Sequence, residues 1–200
     1  MEIVASAEEA TTDLRPGHRV FVHGGVATPR ALLAGLEPHR ERLHDVELIH
    51  LHTEGEAVWA EWPETFRVAN LFVGPNMRRK VGSPQNDYVP CFLSEIPRLL
   101  RQGRRKVDAA LLHVSPPDQH GFCTLGTSVD CARAAADGAD LIIAQINPRM
   151  PRTHGDGFIH VDEIDYAIEV DTEIPEHKPA ELDDDELKIG RFCAELIEDG

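Results

Sequence analysis

The chain has 200 residues, and its 35 acidic and 20 basic side chains leave a formal charge of −15. That length and an ordinary apolar content suit one globular domain with a real core, while the negative charge repels a phosphate backbone and makes nucleic acid a poor partner. No apolar run approaches the ~20 residues that span a bilayer, and the opening MEIVASAEEATTDL lacks the basic and apolar regions of a secretory signal, so no membrane is expected as a partner and a cytoplasmic protein is.

In chain order, Ser6 can cap a first helix, with Glu9 completing a capping box and Pro16-Gly17 ending the segment. Arg19 to His23 (RVFVH) reads as a strand, Gly24-Gly25 as a turn, and Pro29 as the opening of a second helix. Val46 to Leu51 is the next strand. Thr53 to Thr65, with Trp59 and Trp62, fits either a helical turn or a packed loop. Strands are expected at Arg67 to Val73 and Tyr88 to Phe92, then a helix begun by Ser94-Glu95 with Pro97 in its first turn.

Val107 to Val114 (VDAALLHV) is almost wholly apolar and should be central, covered on both faces. The SPPDQHG that follows cannot be regular structure. A helix is expected over Ser128 to Ala136, a second central strand over Asp140 to Ile146, and a break at Asn147-Pro148. Asp162 to Ala167 reads as a short helix before a brief strand, and Thr172 to Pro179 as an irregular connection. The last helix runs from Asp184 to Glu198, with acidic residues at its start and one apolar face of Ile189, Phe192, Cys193, Leu196 and Ile197. Gly200 is placed as its C-cap, which looks like a domain boundary. Alternating short strands and helices argue for an α/β fold, with a mostly parallel sheet flanked by helices.

Open parallel sheets bind ligands beyond the carboxyl ends of their strands. Three such ends stand out: His23-Gly24-Gly25, Ser115 to Gly121, and Asn147 to Gly157. The glycine pair either cradles an anion or oxyanion or simply serves a strand-to-helix turn. His23 is either a structural hydrogen-bonder or part of the site. His50 and His52 lie two apart on a strand, but spacing places no third ligand, so no metal is assigned. Ser115, Asp118 and His120 do not make a hydrolase triad, because the loop lacks a nucleophile elbow; Asp118 is expected to orient the loop through backbone bonds. Arg78-Arg79-Lys80 and Arg104-Arg105-Lys106 are either phosphate contacts or exposed charge, and Arg149 and Arg152 are better placed for such a ligand. Cys91, Cys123, Cys131 and Cys193 are expected as free thiols, since their spacing frames neither a disulfide nor a zinc site.

Five stretches, FVHGGVATP, CFLSEIPRLL, VDAALLHVSPPDQHGFCTLGTSVD, AQINPRMPRTHGDGFIHVDEIDYAIE and CAELIEDG, together resemble the N-terminal domain of the acetyl-CoA hydrolase/transferase family, in particular its 4-hydroxybutyrate CoA-transferases. The resemblance covers nearly the whole chain, in order. It implies a family I CoA-transferase N-terminal domain over residues 1–200, facing a C-terminal catalytic domain absent from this chain. It implies coenzyme A as the carried group, an acyl-CoA and a small carboxylic acid such as 4-hydroxybutyrate or acetate as substrates, a homo-oligomer, and a ping-pong reaction through a glutamyl thioester.

By the same resemblance the glutamate belongs to the second domain, so no catalytic residue is assigned here. This domain would supply one wall of the cleft: His23, Gly24, Gly25 and Val26; Ser115, Pro116, Asp118 and Gly121; and Asn147, Met150 and Pro151. The position matched by His23 lies near the acyl site in the family. The glycine pair after it departs from the small residues of relatives, which bears on acyl preference. Two other readings stand beside this one: an acyl-CoA hydrolase of the same family, separated by testing acyl-CoA loss with and without acetate, and a non-catalytic binding module should the natural chain end at Gly200.

Overall fold

The computed structural model describes residues 1–101, 105–176 and 181–198. Its strands are β1 (Glu2–Ile3), β2 (Arg19–Val22), β3 (Val46–His50), β4 (Phe66–Asn70), β5 (Asn86–Tyr88), β6 (Ala109–Val114), β7 (Phe122–Thr124), β8 (Leu141–Ile146), β9 (Phe158–His160) and β10 (Tyr166–Glu169). Its α-helices are α1 (Ala7–Ala10), α2 (Arg30–Ala34), α3 (Ile96–Arg101), α4 (Ala132–Gly138) and α5 (Asp184–Glu195).

Eight strands form one sheet in the order β1-β10-β8-β6-β2-β3-β4-β5, and every pairing in it is parallel. Side chains alternate across a strand, so a parallel sheet with helices on both sides needs apolar residues at nearly every position. Phe21, Ile49, Ala110, Leu112 and Ala144 pack on one side with Ile96 and Leu100 of α3 and Ala132 and Ala135 of α4. Val20, Val22, Leu48, Leu111 and Ile143 pack on the other with Ala10 of α1 and Leu32 and Leu33 of α2. The expected α/β architecture is the one observed, and VDAALLHV supplies a fully buried central strand, β6.

Several boundaries differ from the sequence reading. Helix α1 ends at Ala10, well before Pro16, because the Thr11 hydroxyl donates to the Ala7 carbonyl at 2.8 Å and to Gly35 O at 3.1 Å. Ser6 caps it as expected, accepting from Glu9 N, but the Glu9 carboxylate reaches Ala5 N. Helix α4 starts at Ala132 and not at Ser128, whose carbonyl is taken by the His23 imidazole. The strand expected at Tyr88 to Phe92 lies earlier, at β5. The helix expected over Asp162 to Ala167 shrinks to a 3-10 turn at Val161–Glu163, since Tyr166 and Ala167 are drawn into pairing with β8 and β1. The Trp59 segment is a 3-10 turn, Val58–Glu61, with Trp59 buried.

Helix α5 forms where expected but ends at Glu195, three residues short of Glu198. Asp183 accepts from Asp185 N and Glu186 N, and Glu186 returns a bond to Asp183 N, a complete capping box. Its Ile189 and Phe192 are exposed, as is Leu196 just past its end. Gly200, Arg104 and part of the Thr172 to Pro179 connection lie outside the described residues. No helix among the described residues is long and apolar enough to cross a membrane.

Candidate functional site

Because β2, β6 and β8 are neighbours and parallel, their carboxyl ends emerge at one edge of the sheet. The three loops singled out by sequence therefore share that edge. Most of their side chains are engaged with one another.

After β2, His23 is fully buried. Its Nδ1 accepts from His113 N at 3.2 Å, and its Nε2 lies 2.5 Å from the Ser128 carbonyl. A carbonyl can only accept, so the proton sits on Nε2 and the ring is neutral. Burial pushes its pKa down, against the pull of Asp130. His23 thus holds the loops after β2 and before α4 together.

Gly24 and Gly25 follow. Gly25 has φ +57, the left-handed region, and a Cβ there would stand 2.8 Å from Ser128 Oγ. A Cβ on Gly24 would stand 2.9 Å from the His52 carbonyl. The close approach of the loop after β3 requires this pair: Gly25 N donates to His52 O at 2.8 Å. Thr28 fastens the same junction, donating to Gly25 O and accepting from Glu54 N. Val26 is half-buried at the rim.

After β6, Ser115 is buried; its Oγ accepts from Thr124 N at 3.0 Å and donates to the Pro116 carbonyl. Asp118 Oδ1 accepts from His120 N at 2.9 Å and Phe122 N at 3.0 Å, which closes the turn at Gly121 (φ +82). Asp118 Oδ2 pairs with Arg152 at 2.6 Å. The Phe122 amide, then the His120 amide and the Arg152 guanidinium, hold its carboxyl below the usual carboxylate range. This is the loop-orienting role expected from sequence. Asp118→Ala should speed amide hydrogen exchange at His120 and Phe122 while β6 and β8 keep their protection; unchanged exchange at those two amides would contradict the assignment.

After β8, Asn147 is buried. Its Nδ2 reaches Thr172 O at 2.7 Å and His113 Nε2 at 3.1 Å, and its Oδ1 accepts from Arg149 N at 3.0 Å. Gln145 donates toward the same imidazole nitrogen at 3.3 Å while its Oε1 accepts from Ala31 N. Two amide donors on Nε2 require a neutral His113. Burial, then neighbouring His23, pushes its pKa down to about 4. Met150 is buried with its sulfur beneath Gly126; Pro116 and Pro151 are exposed.

The arginines near these loops are spoken for. Arg149 pairs with Asp171 and Glu173, and Arg152 pairs with Asp118 and sits 5.6 Å over the Phe158 ring. Arg105 pairs with Glu47, and Lys106 with Asp140, at the opposite, amino-end edge of the sheet. The Arg104-Arg105-Lys106 cluster is therefore remote from the site as far as it is described.

His50 and His52 do not form a pair. His50 ends β3 inside the core, and burial lowers its pKa to about 4; His52 lies past the strand, half-exposed, edge-on to Phe72 with ring centroids 5.9 Å apart. Among the described residues no group of three or more His, Cys, Asp or Glu could hold a metal. All four cysteines are free, with Cys123 and Cys131 buried.

Ser128, Thr28, His113 and Gln145 were not assigned to the site by sequence, yet they build it. The signal was available for the last two: they are register partners on adjacent parallel strands, polar where every neighbour is apolar.

A sheet with this strand order and this loop edge defines an N-terminal domain of the family I CoA-transferase type. The chain belongs to the acetyl-CoA hydrolase/transferase family, whose N-terminal domain model matches residues 1–176. It is 41 % identical over 199 residues to a succinyl-CoA:acetate/propanoyl-CoA:succinate CoA transferase of Fasciola hepatica, covering 98 % of this chain and 42 % of that protein. It is 39 % identical over 201 residues to the 4-hydroxybutyrate coenzyme A transferase of Clostridium kluyveri, covering 100 % of this chain and 47 % of that protein. A solved 4-hydroxybutyrate CoA-transferase from Porphyromonas gingivalis superposes with a TM-score of 0.78 at 32 % identity, covering 100 % of this chain and 46 % of that one. The chain thus spans less than half the length of these relatives.

Proposed function

We propose that the chain is the N-terminal half of a cytoplasmic CoA-transferase, which moves CoA between an acyl-CoA and a short-chain carboxylic acid such as 4-hydroxybutyrate or acetate. The observation behind this reading is identity near 40 % along the whole chain to two named CoA-transferases. The loops led by His23, Ser115 and Asn147 form one wall of a cleft. The other wall, and the reactive glutamate, belong to a C-terminal domain outside this chain, and the assembled enzyme is a homo-oligomer.

In the reaction, a glutamate carboxylate attacks the acyl-CoA carbonyl and the CoA thiolate leaves, giving a mixed anhydride. The thiolate then attacks the glutamyl carbonyl and expels the acyl group as its carboxylate. A second carboxylate takes the acyl role and the steps run in reverse. Each tetrahedral intermediate carries an oxyanion that needs donors already in place. In that scheme His23 and His113, both neutral and held by backbone and amides, are positioning residues that keep Gly24-Gly25 against the His52 and Ser128 segments.

The test uses the full-length protein. Incubation with acyl-CoA and no acceptor, followed by borohydride, should reduce one glutamyl thioester to an alcohol that peptide mass spectrometry locates beyond Gly200. Absence of the reduced residue together with absence of CoA transfer would reject the reading. Acyl-CoA loss that proceeds equally with and without acetate would assign the family's hydrolase activity instead.

A further inference from the structure

Inside the core, away from the loops of the cleft, the last residues of β3 and β4 form a polar pair. His50 and Asn70 are register partners on these neighbouring parallel strands, and both are fully buried. Alternation puts them on the same side as Val46, Leu48, Phe66 and Val68. That side is covered by Leu32 and Leu33 of α2, by Trp59 and by Met77. A polar atom in such an apolar layer gives up its water and needs a bond in return.

Asn70 shows which way its amide is turned. Its Nδ2 donates to the Asp87 carbonyl at 3.0 Å, and a carbonyl can only accept. Oδ1 is therefore the atom left over, and no donor among the described residues bonds to it. Neither ring nitrogen of His50 has a hydrogen-bond partner among them either. The Leu51 carbonyl acts on the ring from outside bonding geometry, and it already accepts from Phe72 N at 2.9 Å. Burial keeps the imidazole neutral, and a neutral imidazole always carries one bare acceptor nitrogen.

Two acceptors thus stand side by side on strands about 4.8 Å apart. Something must donate to both. No carboxylate and no guanidinium acts on His50, whose one ionisable neighbour is His52. A bound ion would lie uncompensated in an apolar layer. The occupant is therefore neutral, small and a double donor, which describes water.

We propose that one ordered water sits between β3 and β4, donating one hydrogen to the His50 ring and the other to Asn70 Oδ1. Buried waters typically make about three hydrogen bonds, in a range of roughly two to four, to groups otherwise left unpaired. Its role is to brace. His52 O, two residues beyond His50, is the carbonyl that Gly25 N binds, so the water holds the strand behind that contact without entering the cleft.

The test is a high-resolution crystal structure of the full-length protein. It should show one density peak within hydrogen-bond distance of both a His50 ring nitrogen and Asn70 Oδ1. Asn70→Leu should abolish the peak. In solution, the acceptor nitrogen of nitrogen-15-labelled His50 should resonate upfield of an unbonded imidazole nitrogen and move downfield in Asn70→Leu. The wild-type density and shift decide the matter alone should the variant misfold.

No density at that position overturns the proposal, as does a direct bond between the two side chains. A peak at metal-ligand distances of about 2.0–2.2 Å would put a cation there instead and also overturn it. So would a wild-type His50 nitrogen that resonates as unbonded. The water is independent of the CoA-transferase reading: it would stand if no glutamyl adduct formed, and an active enzyme without the peak would reject the water alone.

Discussion

Between pH 7 and pH 5 the chain is expected to lose about 4 kcal/mol of stability through His50 and His113 alone. Burial holds both rings near a pKa of about 4, against 6.5 for the free side chain. The unfolded chain therefore takes up protons below pH 6.5 that the folded chain refuses until near pH 4. Stability from these groups is complete above pH 6.5 and falls as the pH drops through that window. Each ring costs about 2 kcal/mol by pH 5, at 1.36 kcal/mol per pH unit. His23, also lowered by burial, acts in the same direction. Asp118 and Glu163 have lowered pKa values, so their contributions are lost only at more acid pH. Urea midpoints at pH 7, 6 and 5 measure the effect, and His113→Gln should flatten the dependence by about one proton. A midpoint that stays level across the window would contradict neutral, buried imidazoles. A loss of this size is a large share of the 5–15 kcal/mol typical of a domain.

The second large effect is steric. Gly35 closes α2 against α1, and a Cβ there would stand 2.5 Å from both C and O of Ala7. Backbone atoms cannot turn aside as a flexible side chain can. Gly35→Val must push α1 away, exposing Ala10 and straining the Thr11 hydroxyl bond to Gly35 O. The expected cost is about 3 kcal/mol, which for ~200 residues lowers Tm by roughly 6–12 °C. Gly190→Ala is the control of opposite sign. Gly190 lies inside α5 with no atom within 4 Å of its added Cβ, so the substitution should gain up to about 1 kcal/mol of helix stability. Thermal melts followed by circular dichroism test both, and equal shifts in the two variants would refute the distinction.

The central strands were legible because burial on both faces leaves a mark that one chain displays: AALLHV and LIIAQI are apolar at successive positions. The break after each was legible from its prolines and Asn147. The two-residue β1 was not, because Glu2 and Ile3 form a strand only through β10, far along the chain. The β7–β9 ribbon was hidden for the same reason, three residues on each side being too few to show a period. At the site, Asp118 could be read because its bonds run to amides two and four residues away. The union of His23 with Ser128, or of His113 with Asn147, depends on strand order, which no local pattern encodes. The arginines misled for a related reason: sequence shows that Arg149 and Arg152 stand near a loop, but not that Asp171 and Asp118 already neutralise them.

The sheet joins its first strand to its last. Glu2 pairs with Tyr166, and Ile3 with Ala167. On the ribosome, at roughly 5–20 residues per second, β1 waits about 10–30 s for its partner to be made. During that interval β10 cannot yet shield β8, and the growing sheet presents an unfinished parallel edge. Pairings this distant in sequence are slow to form because loop closure must precede their reward. Removal of residues 166–169 should therefore strand the N-terminus as well, since the two ends of this domain are secured by the same closing step.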